Sequence, residues 1–247
     1  MDAEEEPVTP PLHCGESLPE TGEVHLWRAS LSPEGTALSV YESGLSGVER
    51  ERAGKFHSRA DAEKFIAAHG ALRVILGAYA GMQPRELMFS RSAFGKPSLM
   101  NEEEACADIR FNMADSGDVA LVAISRGREI GVDIECMKAG VDLPAMALRC
   151  FCGAEIDVFR AAPPELRAEV FYTFWSRKEA YIKARGEGMS LGLKNIDVSS
   201  LPALLDRRWR LEDLAVDPGY RGAVAMDGSI SRVIYRTIPL HGADAPV

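Results

Sequence analysis

Gly-Val-Asp-Ile-Glu at residues 131–135 and Trp-Ser-Arg-Lys-Glu-Ala-Tyr-Ile-Lys at residues 175–183 are the two stretches that decide the predicted fold. The first stretch predicts a β-strand, because apolar and acidic residues alternate along it. Side chains of a strand alternate between its two faces, so Asp133 and Glu135 share one face, about 7 Å apart along the strand. Val132 and Ile134 lie on the opposite face.

The second stretch predicts a helix with a mixed charged stripe. Residues three and four positions apart lie on the same face of a helix. One face therefore carries Trp175, then Lys178 and Glu179, then Ile182 and Lys183. This stripe combines one acid with two bases.

Packing of the strand against the helix would bring Asp133, Glu135 and Glu179 together, and carboxylates that close ionise together when a cation lies among them. A small set of oxygen ligands favours Mg²⁺, which often shares its coordination with substrate phosphates. Lys178 and Lys183 would suit the same phosphates as point charges. Each stretch alone also fits a solvated strand or a helix face of surface salt bridges, and the combination is the more specific signal.

Together, Gly-Val-Asp-Ile-Glu and Trp-Ser-x-Lys-Glu-Ala-x-x-Lys resemble the signature of the 4'-phosphopantetheinyl transferases of the surfactin-synthetase-activating (Sfp) type. The resemblance implies transfer of phosphopantetheine from coenzyme A to a serine of an apo acyl or peptidyl carrier protein, which releases 3',5'-ADP. It also implies a Mg²⁺ ion held by Asp133, Glu135 and Glu179. Glu179 would take the serine proton, directly or through water, and Lys183 would hold the phosphates.

The resemblance also implies a set of coenzyme A contacts outside the metal site. Arg52 is expected at the 3'-phosphate end, and a Gly-Lys-Pro turn at residues 95–97 is expected beside the nucleotide. A glycine in such a turn lets the backbone approach a ligand closely. The full expected set is Arg52, Arg73, Arg91, Gly95, Lys96, Pro97, Asn112, Asp115, Lys178 and Lys183.

One motif departs from the family pattern. The family usually has Phe-Asn-x-Ser-His-Ser where this chain has Phe-Asn-Met-Ala-Asp-Ser at residues 111–116. Asp115 would repel a phosphate group unless it is protonated or turned away, and Arg91 is a candidate to compensate. Two other functions therefore stay open: a module that binds coenzyme A or a carrier protein without transfer, and a Mg²⁺-dependent phosphohydrolase.

Composition argues against several other classes of protein. The 247 residues are 46% hydrophobic, which suffices for a sizeable core, and no apolar run approaches the roughly 20 residues of a membrane span. No signal peptide is apparent, so a cytoplasmic location without a membrane partner is expected. The five cysteines lack Cys-x-x-Cys spacing and the five histidines lack ligand spacing, which argues against disulfides and zinc. A net charge of −9 gives no basic footprint for nucleic acid.

The resemblance implies an α+β fold of two similar α/β halves, related by a pseudo-twofold axis, with small antiparallel sheets and the active site in the cleft between them. Residues 1–23 contain seven acids, four prolines and no lysine or arginine, and are predicted to form a flexible arm. Residues 24–128 would form the nucleotide-binding half, residues 129–240 the metal-binding half, and residues 241–247 a tail. A monomer with a complete site is expected.

Local sequence patterns predict the positions of the helices and strands. Helices are predicted after the capping pair Ser58 and Asp61, after Leu143, and from Pro163 to Gly186. Strands are predicted at residues 24–28, 87–91, 119–125, 130–135, 196–198, 209–214, 221–226 and 232–237.

Overall fold

The structure is a computed structural model that describes residues 16–33, 37–100, 107–188, 192–200, 203–205 and 208–238. The α-helices of these residues are α1 (Ala37–Gly44), α2 (Gly47–Ala53), α3 (Arg59–Ala80), α4 (Leu143–Cys150), α5 (Gly153–Ala161) and α6 (Arg167–Arg185). The strands are β1 (Glu23–Ser30), β2 (Phe89–Arg91), β3 (Pro97–Leu99), β4 (Ile109–Ser116), β5 (Val119–Arg126), β6 (Ile130–Cys136), β7 (Ala203–Leu205), β8 (Trp209–Asp213), β9 (Tyr220–Asp227) and β10 (Arg232–Thr237).

Helix α3 is the central element of the N-terminal half. The Ser58 side chain caps it by accepting a hydrogen bond from the Asp61 backbone amide, as predicted, and Gly81 ends it with a left-handed φ of 67°. Apolar side chains of α3 pack against β1, β4 and β5 to form the first core. The helix is thereby fixed over one face of its sheet.

Helix α6 has the same position in the C-terminal half. It ends at Gly186, where the left-handed φ of 65° confirms the predicted stop. Its apolar side chains pack against β8 and β9 and form the second core. Gly131 of β6 lies directly under this helix, because a Cβ atom there would come within 2.2 Å of the Ala180 carbonyl oxygen. The glycine therefore lets β6 and α6 approach closely enough to share a site.

The two halves meet through two four-stranded sheets. The first has the order β10-β1-β5-β4 and the second the order β6-β9-β8-β7, while β2 and β3 form a separate hairpin. A third core lies between the sheets and includes Leu26, Leu121, Ile134 and Val224. The predicted α+β class with small antiparallel sheets is confirmed, although β1 and β10 form a parallel pair in the first sheet. No helix in the described ranges has the length and apolar composition that a membrane crossing needs.

Several boundaries differ from the predictions. Strand β10 pairs with β1, so the predicted C-terminal half at residues 129–240 contains a strand of the N-terminal sheet. Residues 1–15 of the predicted arm and the predicted tail at 241–247 lie outside the described residues. Residues 16–23 of that arm are packed onto the protein, because the Glu16 amide donates to the Ala78 carbonyl (3.2 Å) and the Glu16 carboxylate pairs with Arg236 (2.8 Å). The predicted strand at 196–198 is absent.

Candidate active site

Asp133 on β6 is the most buried acid of the predicted cluster, with 4% of its surface exposed. Its Oδ1 atom accepts a hydrogen bond from Lys183 Nζ at 2.6 Å, while its Oδ2 atom is buried and has no hydrogen-bond partner. Burial raises the pKa of Asp133 to about 7; the Lys183 ammonium opposes this shift, and the charges of Glu135 and Glu179 add to it. A buried carboxylate with a free oxygen and acidic neighbours fits a cation ligand.

Glu135 lies two residues further along the same face of β6 and is held from two sides. Trp175 Nε1 on α6 donates to its Oε1 atom at 2.9 Å, and Ser116 Oγ at the end of β4 donates to its Oε2 atom at 3.1 Å. Ser116 Oγ in turn accepts from the Cys136 backbone amide at 3.1 Å. The orientation of this carboxylate therefore depends on both halves of the chain.

Glu179 and Lys183 bring the helix side of the site together with the strand. Burial raises the pKa of the half-buried Glu179, with Lys183 opposing the shift and Glu135 adding to it. Both residues line an open cavity of about 290 Å³ between the β2–β3 hairpin, β4 and the end of α6. The other residues of its wall are Phe94, Gly95, Lys96, Pro97, Asn112, Met113, Ile182, Gly186 and Gly188.

The donor set agrees with Mg²⁺, because all three candidate ligands are carboxylates and Asp133 has an unpartnered buried oxygen. Among the described residues, one group of three potential metal ligands has all its ligand atoms within 4.8 Å of one another, and it consists of Cys152, Glu155 and Asp197. Glu155 of this group is already paired with Lys178. The ligand atoms of Asp133, Glu135 and Glu179 do not all lie within 4.8 Å of one another. Mg²⁺ usually takes only one or two protein carboxylates and completes its coordination with water and substrate phosphate.

Lys178 does not reach the site, which contradicts its predicted role as a phosphate contact. Its side chain is fully buried on the other side of α6. The Nζ atom pairs with Glu155 at 2.8 Å and donates to the carbonyl oxygens of Leu193 (2.7 Å) and Ile196 (2.5 Å). Successive helix residues point about 100° apart, so Lys178 and Glu179 face different surroundings.

Arg73 is likewise a structural residue and not a phosphate contact. It is buried, and its Nε atom pairs with Glu49 Oε2 at 2.5 Å. Its Nη1 atom donates to the carbonyl oxygens of Pro84 (2.7 Å) and Leu87 (3.0 Å). These bonds tie α3 to α2 and to the segment that follows α3.

The remaining predicted contacts of the β2–β3 hairpin lie at the cavity or beside it. Gly95, Lys96 and Pro97 line the cavity. Lys96 Nζ donates to Glu129 Oε2 at 2.6 Å and to the Ala184 carbonyl at 2.9 Å, so it also ties the hairpin to the end of α6. The exposed Arg91 donates to the Gly95 carbonyl at 3.1 Å.

Three further predicted contacts lie on β4 and α2. Asn112 lines the cavity, and its Oδ1 atom accepts from the Val132 backbone amide at 2.9 Å, which links β4 to β6. Asp115 is exposed and is not part of the cavity wall. Arg52 is exposed on α2, with its guanidinium 5.0 Å from the centre of the Phe65 ring.

Comparison with known proteins identifies the family. A profile described as "4'-phosphopantetheinyl transferase, N-terminal" matches residues 29–126, and the 4'-phosphopantetheinyl transferase superfamily profile matches residues 129–212. The 4'-phosphopantetheinyl transferase HetI of Nostoc sp. is 35% identical over 211 residues, which cover 83% of this chain and 88% of the relative. The chain belongs to the 4'-phosphopantetheinyl transferase superfamily.

Two further relatives of this phosphopantetheinyl transferase are more distant. The 4'-phosphopantetheinyl transferase Sfp of Bacillus subtilis is 28% identical over 193 residues, covering 74% of this chain and 83% of the relative. The human L-aminoadipate-semialdehyde dehydrogenase-phosphopantetheinyl transferase is 26% identical over 245 residues, covering 87% and 74%. Members of the superfamily transfer phosphopantetheine to carrier proteins, and the chain is an enzyme of that class.

Several residues that shape the candidate site of this phosphopantetheinyl transferase have no role that the sequence pattern assigns. Trp175 stood in the predicted helix stripe, and its indole N–H was the available signal for a bond to a carboxylate. Ser116 precedes a Gly-Asp turn and gives no signal without the pairing of β4. Phe94, Met113 and Ile182 are apolar residues whose exposure to a cavity only the fold reveals.

Proposed function

We propose that this transferase takes the phosphopantetheine group from coenzyme A, attaches it to a serine of an apo acyl or peptidyl carrier protein, and requires Mg²⁺. The observation that carries the proposal is an acidic cluster next to the cavity: Glu179 and Lys183 line the cavity, and Lys183 pairs with the buried Asp133, which has a free oxygen and interacts electrostatically with Glu135 and Glu179. A diphosphate needs cations, and a serine hydroxyl needs a base. The cluster offers both.

Asp133, Glu135 and Glu179 would hold the Mg²⁺ ion. When bound, the ion supplies positive charge that offsets the charge of the diphosphate in the transition state. Trp175 and Ser116 support this arrangement, because their hydrogen bonds keep both Glu135 oxygens in one orientation.

The chain's own residues would carry out the proton and phosphate steps. Glu179 accepts the proton of the serine hydroxyl, and its raised pKa makes it a stronger base than an exposed glutamate. The serine oxygen forms a bond to the phosphorus that bears the pantetheine group, and the bond from that phosphorus to 3',5'-ADP breaks. Lys183, now paired with Asp133, would turn its ammonium to the phosphate oxygens.

The donor would lie along the cavity and beyond it. Gly95, Lys96, Pro97 and Asn112 line the cavity and would contact the donor there. The exposed guanidinium groups of Arg91 and Arg52 would contact its charged groups outside the cavity. Every proposed residue comes from one chain, so a monomer would have a complete site.

The test is a transfer assay with the full chain, apo carrier protein, coenzyme A and Mg²⁺. The expected result is a carrier mass increased by one phosphopantetheine group, and Glu179→Gln should lower the rate at least ~100-fold, the low end for loss of a general base. Glu169→Gln is a matched control, since Glu169 is exposed on the same helix and pairs with Arg221 at the surface. Wild-type turnover by Glu179→Gln would refute the role of Glu179.

Two other outcomes of the same assay would point to the alternative functions. Release of free phosphopantetheine without carrier protein would indicate a phosphohydrolase. Binding of coenzyme A with no change in carrier mass would indicate a binding module.

A further inference from the structure

The two sheets meet edge to edge beside the acidic cluster. Strand β4 is an edge strand of the first sheet, and β6 is an edge strand of the second. The Asn112 carboxamide oxygen accepts from the Val132 amide at 2.9 Å, and the Ser116 hydroxyl accepts from the Cys136 amide at 3.1 Å. An edge strand leaves backbone groups unpaired. Two side chains of β4 therefore satisfy amides on the open edge of β6 and hold the two strands in one register.

Ser116 also makes a contact that reaches the acidic cluster. Its hydroxyl donates to Glu135 Oε2 at 3.1 Å, while Trp175 Nε1 donates to Oε1 of the same carboxylate at 2.9 Å. A hydroxyl has one proton and two lone pairs, so it can donate to Glu135 and accept from the Cys136 amide at the same time. The position of the Ser116 backbone therefore determines where one oxygen of Glu135 lies.

The turn that follows Ser116 is tied to the N-terminal half. Gly117 and Asp118 connect β4 to β5. Lys64 Nζ on α3 donates to the Gly117 carbonyl oxygen at 2.9 Å and pairs with the Asp118 carboxylate at 2.9 Å. The Asp118 carbonyl oxygen accepts from the Leu31 amide after β1 at 2.9 Å. The turn is therefore fixed to α3 and to the end of β1.

The same turn is in close contact with the C-terminal half. Tyr220 Oη on β9 accepts from the Asp118 amide at 3.3 Å. Gly117 has a left-handed φ of 60°, and a Cβ atom there would lie 2.6 Å from Tyr220 Oη and 3.3 Å from Cys136 Cβ. A glycine allows both this conformation and this close approach. The turn therefore packs against β6 and β9 with no room for a side chain at position 117.

From these contacts we infer that the β4–β5 turn is a positioning element of the transfer site, in which Gly117 and Tyr220 fix the hydroxyl that orients Glu135. The inference rests on the proposed function, in which Glu135 is a ligand of Mg²⁺. The turn acts through Glu135 and does not itself contact the ion. Mg²⁺ affinity therefore depends on how the two halves meet at this turn.

The first experiment compares Gly117→Ala with Gly127→Ala. The two glycines have left-handed φ values of 60° and 62°, so an alanine adds similar backbone strain at each. A Cβ atom at position 127 would have its nearest neighbour, Asp108, 3.8 Å away, whereas one at position 117 would meet Tyr220. Calorimetric titration of Mg²⁺ with coenzyme A present should show about 10-fold to 100-fold weaker binding in Gly117→Ala, the range for groups that orient a metal ligand. Gly127→Ala should bind Mg²⁺ like the wild type.

The second experiment tests the Ser116 hydroxyl. Ser116→Ala should weaken Mg²⁺ binding by a similar factor, and Ser116→Thr, which keeps a hydroxyl, should restore most of it. The metal-free proteins give an independent readout, because Trp175 donates its indole N–H to Glu135. In nitrogen–proton correlation spectra, the indole signal of Trp175 should shift in Ser116→Ala and Gly117→Ala but not in Ser116→Thr. The indole signals of the other two tryptophans should stay in place.

A third comparison isolates the hydroxyl of Tyr220. Tyr220→Phe loses the bond from the Asp118 amide, and Tyr235→Phe on β10 loses an equivalent bond from the Ala215 amide. Mg²⁺ binding should weaken about 2-fold to 10-fold in Tyr220→Phe, the value of one hydrogen bond between neutral groups. It should stay unchanged in Tyr235→Phe, and equal losses in the two variants would contradict a role for Tyr220.

Several results would overturn the inference. Unchanged Mg²⁺ binding in Gly117→Ala and Ser116→Ala would do so, and so would equal losses in Gly117→Ala and Gly127→Ala. Shifts of all three indole signals would show that the turn supports the whole fold and not the orientation of Glu135. A wild type that binds no Mg²⁺ would instead refute the proposed function, and the metal-free spectra would still test the contact between Ser116 and Glu135.

Discussion

At the scale of single residues, Asp133 shows how a residue of the candidate site opposes stability. Its carboxylate is buried, one oxygen lacks a partner, and burial raises its pKa to about 7. In the unfolded chain the pKa is about 4. Between these values the folded state keeps a proton that the unfolded state releases, so the contribution of Asp133 to stability is lost as the pH rises.

Asp133→Asn should therefore stabilise the metal-free protein at pH 8, by roughly 2–4 kcal/mol, and should abolish transfer. The measurement is urea unfolding in the presence of a chelator at pH 4 and pH 8. The difference between variant and wild type should be small at pH 4 and large at pH 8. A variant that is less stable than wild type at pH 8 would contradict the account of Asp133.

Much of the residue-level site followed from the sequence, because alternation along a strand and the helix period assign faces directly. Asp133, Glu135, Glu179 and Lys183 lie together for this reason. The same period did not distinguish Lys178 from Lys183. Which side of α6 faces the core depends on the sheet beneath it, and a single sequence does not contain that orientation.

At the scale of elements, two faces of α6 have different surroundings. One face presents Glu179 and Lys183 to the cavity, and the other buries Lys178 against Glu155 of α5. Removing one partner of a buried ion pair leaves an uncompensated charge and costs about 3–5 kcal/mol.

Lys178→Met should therefore lower the free energy of unfolding by about 3–5 kcal/mol, measured by urea unfolding. The affinity of the folded variant for coenzyme A should stay close to wild type, because Lys178 does not face the cavity. Lys138→Met, at an exposed lysine outside this pair, serves as the control. A variant with normal stability and weak coenzyme A binding would restore Lys178 to the donor site.

Two predictions of secondary structure were wrong. One failed where side chains form the hydrogen bonds that a partner strand would otherwise form, and the other failed where residues typical of a turn form a strand. Residues 196–198 have apolar alternation, but the Val198 amide donates to the Glu155 carboxylate at 2.9 Å and the Ile196 carbonyl accepts from Lys178. No partner strand is needed there. Strand β4 was missed because Asn-Met-Ala-Asp-Ser resembles a turn, and pairing with β5 overrides that local preference.

At the scale of the whole molecule, strand pairing and an apolar core connect the two halves. Strand β10 returns to pair with β1, and the core between the two sheets is apolar. Arg28 of β1 pairs with Asp217 near β9, and the Tyr235 hydroxyl of β10 accepts from the Ala215 amide at 2.8 Å. The predicted halves are therefore expected to unfold together.

A chain that ends after Ile230 should lose roughly 2–4 kcal/mol of stability, because β1 becomes an edge strand and loses its parallel partner. A chain that ends after Ile238 keeps β10 and is the matched control. Thermal unfolding measures both. Separate transitions for the two halves in the control chain, or equal stability of the two chains, would contradict the role of β10.

The central claim is that acids from β6 and α6 gather around one Mg²⁺ ion that the diphosphate of coenzyme A completes. The most direct measurement is calorimetric titration of Mg²⁺ into the protein with coenzyme A present, for wild type, Asp133→Asn, Glu179→Gln and the exposed control Asp157→Asn. The account predicts one bound ion in wild type and control, with at least ~10-fold weaker binding in the other two variants. Mg²⁺ binding that is unchanged in Asp133→Asn and Glu179→Gln would contradict it.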